Sequence, residues 1–64
     1  MTREEAEEAA EKGDTVIYRP HPSAVPEEGI VMRCNDRHAF VLYRGSMTPK
    51  ATSFADLELA QVGM

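Results

Sequence analysis

Residues 2–12, TREEAEEAAEK, place their only apolar side chains, Ala6, Ala9 and Ala10, three or four positions apart or adjacent among good helix formers. That spacing predicts a helix from about Arg3 to Lys12. Thr2 is its N-cap, and the early glutamates sit where the helix dipole favours carboxylates. Glu8 lies one turn before Lys12, and Gly13 supplies the stop. Because the stripe consists only of methyl groups, it is too small to anchor a core, and the expectation is a solvated or loosely docked cap.

After Gly13-Asp14 the pattern becomes extended. TVIYR (15–19) is β-branched and aromatic, GIVMRC (29–34) and HAFVLYR (38–44) flank Asn35-Asp36-Arg37, and the two turn formers there predict a tight hairpin that tolerates positive φ. A second turn at GSMTP (45–49) leads to a short strand over 50–53. ADLE (55–58) reads as a single 3₁₀ turn before a last strand near 58–60. The prediction is a mainly β fold: a small five-stranded barrel preceded by one short N-terminal α-helix, with the acidic helix in 1–12 and the barrel in 13–64.

Alternation along the strands leaves an apolar surplus. On HAFVLYR, Ala39, Val41 and Tyr43 share one face while Phe40 and Leu42 share the other. On GIVMRC, Ile30, Met32 and Cys34 oppose Val31. A barrel of this size has one interior, so the second apolar set needs another cover: the helix, a second copy of the chain, a partner protein, or a bulge that turns it inward.

Charge divides unevenly. Residues 1–12 hold Glu4, Glu5, Glu7, Glu8 and Glu11 against Arg3 and Lys12, a net of −3, out of −4 for the whole chain. The remainder is therefore near neutral and carries Arg19, Arg33, Arg37, Arg44 and Lys50. Cys34 is the single cysteine, so no internal disulfide staples the core, and a reducing cytoplasmic setting is expected. No run approaches the roughly 18–20 apolar residues that span a bilayer, and the acidic start is unlike a signal peptide, so no membrane partner is expected.

The order GDTVIY, a long loop, EEGIVM, a tight turn, AFVLYRG and a closing ADLEL resembles the SH3-like barrels of the KOW and Tudor type. It is most similar to small SH3-like proteins of the kind found in phage and prophage genomes, and the resemblance covers residues 13–59. It implies a fold and a binding habit without a reaction: a non-catalytic protein-binding module, phage-encoded and acting on a host or virion protein in the host cytoplasm. The alternative it implies is a KOW-like nucleic-acid-binding domain.

The loop YRPHPSAVPEEG (18–29) would flank the peptide groove of such a barrel. Pro20, Pro22 and Pro26 stiffen it by fixing φ, which serves stability in a small domain and also holds Arg19 and His21 outward without an ordering cost on binding. The candidate contact residues are Tyr18, Arg19, His21, Phe40, Leu42, Tyr43 and Arg44, with apolar side chains as anchors and arginines for orientation. Chemistry is sparse. Cys34, His21 and His38 fall short of a zinc ligand set, Cys34 reads as a small buried apolar residue, and no glycine-rich phosphate loop precedes a helix. Neither enzyme activity, cofactor nor metal is expected. An aromatic cage from Tyr18, Phe40, Tyr43 and Phe54 competes with the needs of the core, and stacking of bases on Tyr18 or Tyr43 beside the arginines is what a nucleic-acid role requires.

Overall fold

In the computed structural model, which describes residues 1–60, helix α1 (Arg3–Lys12) starts on a reciprocal cap. Thr2 Oγ1 accepts from the Glu5 N–H at 3.1 Å, and the Glu5 carboxylate accepts from the Thr2 N–H at 2.9 Å. The Thr2 N–H is the main reason the Glu5 carboxyl is held below its ordinary pKa. At the other end Gly13 takes φ 72°, the left-handed region where a side chain would be strained, and its N–H bonds to Ala9 O. Residues 61–64, the end of the stretch assigned to the barrel, lie outside the described residues.

Five strands follow: β1 (Thr15–Tyr18), β2 (Glu27–Cys34), β3 (His38–Tyr43), β4 (Lys50–Ser53) and, after a 3₁₀ turn at Phe54–Asp56, β5 (Leu57–Leu59). They form one antiparallel sheet in the order β4-β3-β2-β1-β5, so β4 and β5 are its edges. The mainly β architecture with one N-terminal helix is the one the alternation predicts. The boundaries differ by small steps. β2 begins two residues before Gly29 because Tyr18 pairs with Glu27, and β5 is shifted one residue earlier than 58–60. β1 and β3 stop just short of Arg19 and Arg44.

The β2–β3 hairpin turns where Asn35 and Asp36 predict, by a different device. Among the described residues only glycines have positive φ. Asn35 Oδ1 instead accepts from the N–H groups of Arg37 (2.9 Å) and His38 (2.7 Å), while the Asn35 N–H donates to His38 O. The side chain thereby closes the turn without left-handed backbone.

The core lies on one face of the sheet, where Val16, Val31, Ala39, Val41 and Leu57 meet Ala6 and Ala9 of α1. The expected solvated or loosely docked helix is corrected here: both alanines have 0% exposure. Their small size is what allows the docking, because a methyl group lets the helix backbone approach the strands closely. The Met1 amino group adds a tie at the helix entry, donating to Phe54 O (2.8 Å) and Leu57 O (2.7 Å). Gly29 extends the same principle into β2. A Cβ placed there would lie 2.5 Å from Val41 Cγ1 and 3.1 Å from the Tyr43 ring, so only a residue without a side chain lets β2 pass this close to β3.

An irregularity in β2 resets its faces. The β2–β3 register shifts between Val31 and Arg33, so that Ile30 lies opposite Leu42 while Arg33 lies opposite Phe40. The grouping of Ile30, Met32 and Cys34 on one face is corrected accordingly: Arg33 takes the outer position, and Cys34, paired with Ala39, packs against the core. Burial pushes the Cys34 thiol above its ordinary pKa.

Gly29→Ala is expected to destabilise by about 1–3 kcal/mol through overpacking. Ala9→Asp, which buries an unpaired charge, should cost at least ~2 kcal/mol. By contrast, Glu11→Ala on the exposed helix face should stay within about 0.5 kcal/mol. Urea unfolding followed by circular dichroism checks all three, and an Ala9→Asp protein as stable as the parent would show that the helix does not belong to the core.

Candidate functional site

Sheet geometry separates the predicted contact residues into three places. Phe40 and Leu42 project from β3 on the face opposite Val41 and Ala39, and both are half-buried. The bulge thus does not turn them inward. Their neighbours on this outer face are Ile30, directly across from Leu42, and Ile17, diagonal to Ile30 on β1. Ile30 is 43% exposed and Met32, in the bulge, 52%. Helix α1 packs on the other face, so these side chains form an apolar stripe that the helix leaves uncovered.

Arg33 frames the stripe, with its guanidinium carbon 4.3 Å from the Phe40 ring centroid. That contact uses one π-face of the single benzenoid ring on the outer surface of β3, where His38 shares the face. Sequence reasoning missed Arg33, Ile30 and Met32 as site residues. Ile30 and Met32 were legible from alternation, whereas Arg33 reaches this face only through the bulge.

Tyr18 and Tyr43 occupy the second place, the interior. Tyr43 is 8% exposed, its hydroxyl is 2.7 Å from Thr52 Oγ1, and its ring meets Tyr18 edge to face with centroids 5.8 Å apart. Tyr43 therefore fills the core, and no flat tyrosine platform lies beside the arginines. Phe54 packs on the same core while Phe40 faces away from it, so the four aromatics do not converge on a cage. Burial pushes the Tyr43 phenol above its ordinary pKa, and the bond with Thr52 partly offsets this.

Arg19 and His21 occupy the third place, the proline loop. The Arg19 N–H bonds to Asp56 O at 2.8 Å and its guanidinium lies 3.5 Å from Glu58, which fixes the loop root to the 3₁₀ turn. A turn follows from the Ala24 N–H to His21 O, with Pro22 at its second position, and His21 Nδ1 lies 2.8 Å from Ser23 Oγ. A shallow cleft between Pro20, His21, Pro22, Asp56 and Leu57 separates loop from turn. Arg44, the remaining candidate, is exposed at the end of β3, where its N–H bonds to Glu28 O.

Charge is segregated along with these faces. The glutamates of α1 lie on the helix side, and Arg3 there pairs with Glu7 (2.8 Å) and Asp36 (2.9 Å). Among the described residues Arg33, Arg37, Arg44 and Lys50 form no ion pair, no three His, Cys, Asp or Glu side chains are grouped to hold a metal ion, and no helix is long and apolar enough to cross a membrane. No protein-family model, curated protein or solved structure matches this chain.

The neutral Tyr43 phenol is favoured by folding, so the stability it contributes is complete below the ordinary phenol pKa of about 10 and is lost as the pH rises through the higher folded-state value. Spectrophotometric titration at alkaline pH should show one phenol ionising late, together with a loss of stability. Tyr43→Phe should remove that late phase. If the late phase persists in Tyr43→Phe, its assignment to this residue is wrong.

Proposed function

We propose that this protein is a non-catalytic protein-binding module whose contact surface is the outer face of β2 and β3. The observation that carries the reading is the exposure of Ile30 beside half-buried Phe40 and Leu42, on the sheet face that α1 leaves bare, with Met32 exposed in the adjoining bulge. Such a patch in so small a domain costs solubility unless something covers it. Its composition fits a protein partner: aliphatic anchors at the centre, with Arg33 and Arg44 beside them to orient the contact.

A nucleic-acid role draws support from the placement of the acidic helix on the opposite side of the sheet, away from Arg33 and Arg44. It draws less from the aromatics. Single-strand binders stack bases on open rings, whereas Tyr18 and Tyr43 pack on each other and Arg33 lies over Phe40. The resemblance to small SH3-like phage proteins directs the search for a partner to host and virion proteins, met in the host cytoplasm.

Immobilised protein exposed to a bacterial lysate should retain a protein that Leu42→Asp retains at least about tenfold less well, the loss expected at a central apolar anchor. Circular dichroism would establish that the variant is folded. Equal retention by parent and variant would overturn the proposed surface. So would tight binding of single- or double-stranded nucleic acid in a gel-shift titration that weakens steeply with salt.

A further inference from the structure

The outer face is self-complementary, and we infer that a second copy of this chain is its occupant. The inference rests on the reading of that face as a protein contact surface. Along β2 the outer positions run Glu28, Ile30, Arg33. The bulge makes this series symmetric: Ile30 and Arg33 lie opposite Leu42 and Phe40, which are one regular two-residue step apart on β3. Glu28 and Arg33 therefore flank Ile30 at similar distances, about 7 Å on either side at ordinary strand rise. Without the extra residue Met32 would occupy the position of Arg33, and the charge pattern would vanish.

Symmetry of this kind has a geometric consequence. A two-fold axis lying in the plane of contact and crossing the strands at the level of Ile30 and Leu42 sets two outer faces against each other as in a face-to-face sheet sandwich. Ile30 and Leu42 then meet their own copies at the centre. Each Glu28 lies over the partner copy's Arg33 position, forming two equivalent ion pairs. On β3 the same operation places Arg44, which lies opposite Glu28, over the Phe40 position of the other copy. That sets a cation against an aromatic ring.

The electrostatics of the single chain leave these groups available. Neither Glu28 nor Arg33 belongs to an ion pair among the described residues, and both are exposed. The acidic helix, with its net charge of −3 over residues 1–12, lies behind the sheet in each copy and does not oppose its counterpart across the contact. The exposed side of α1 offers no apolar match to the stripe, and the mutual placement of Glu28 and Arg33 favours the closed, isologous pair.

Sedimentation equilibrium of the full chain over a wide concentration range should show a concentration-dependent species of twice the 7.1 kDa chain mass. Glu28→Arg and Arg33→Glu, both shown by circular dichroism to be folded, should each weaken association by about tenfold or more by setting like charges against each other. The double variant E28R/R33E should recover most of that loss. Ile30→Asp should leave a monomer. A wild-type chain that remains monomeric to millimolar concentration, or a double variant no better than either single one, would overturn the inference. A monomer that still captures a lysate protein through Leu42 would overturn self-pairing alone and leave the protein-binding reading standing. A monomer with no Leu42-dependent capture would overturn both.

Discussion

The structure depends on close approach between backbones. Ala6 and Ala9 present only methyl groups to the sheet, and Gly29 presents nothing to Val41 and Tyr43. These positions let one helix and three adjacent strands share an interior whose fully buried side chains are no larger than valine. A chain of this size buries only about 60% of the surface its unfolded form exposes, so it cannot build a thick core. It gains dispersion and excludes water by bringing small groups very near to each other instead. The cap at Thr2 and Glu5 and the Met1 bonds to Phe54 and Leu57 hold the helix where that approach is possible.

Placing the helix on the inner face determines what remains outside. A short alanine stripe can cover one side of a sheet and no more, so Ile30, Phe40 and Leu42 stay on the opposite side, with Met32 exposed in the bulge. The same arrangement sorts charge, with the glutamates of α1 behind the sheet and Glu28, Arg33 and Arg44 at outer positions of the bare face. The proline loop stands apart from this surface. It is anchored at Arg19 to the 3₁₀ turn, and its stiffness serves the sheet end that it bridges.

The bulge at Met32 connects fold to site. By absorbing one residue it sends Arg33 outward over Phe40 and Cys34 inward against the core. A regular strand would have produced a longer apolar row with no charge at that level. The bulge thus tempers an aliphatic patch with a cation, which raises the orientational specificity of any contact made there.

Local chemistry determined the elements themselves: the helix from its formers and caps, the hairpin from Asn35-Asp36, the five strands from alternation and β-branched residues, and the existence of two apolar faces on β3. These are properties of neighbouring residues, so they can be read along the chain. Only tertiary structure decided that Ala6 and Ala9 are core residues, that Tyr43 is an interior residue bonded to Thr52, and that Arg33 belongs to the outer face. Each depends on how near two distant segments come, or on one unmatched residue in a ladder. Single-chain periodicity carries no measure of either distance or register.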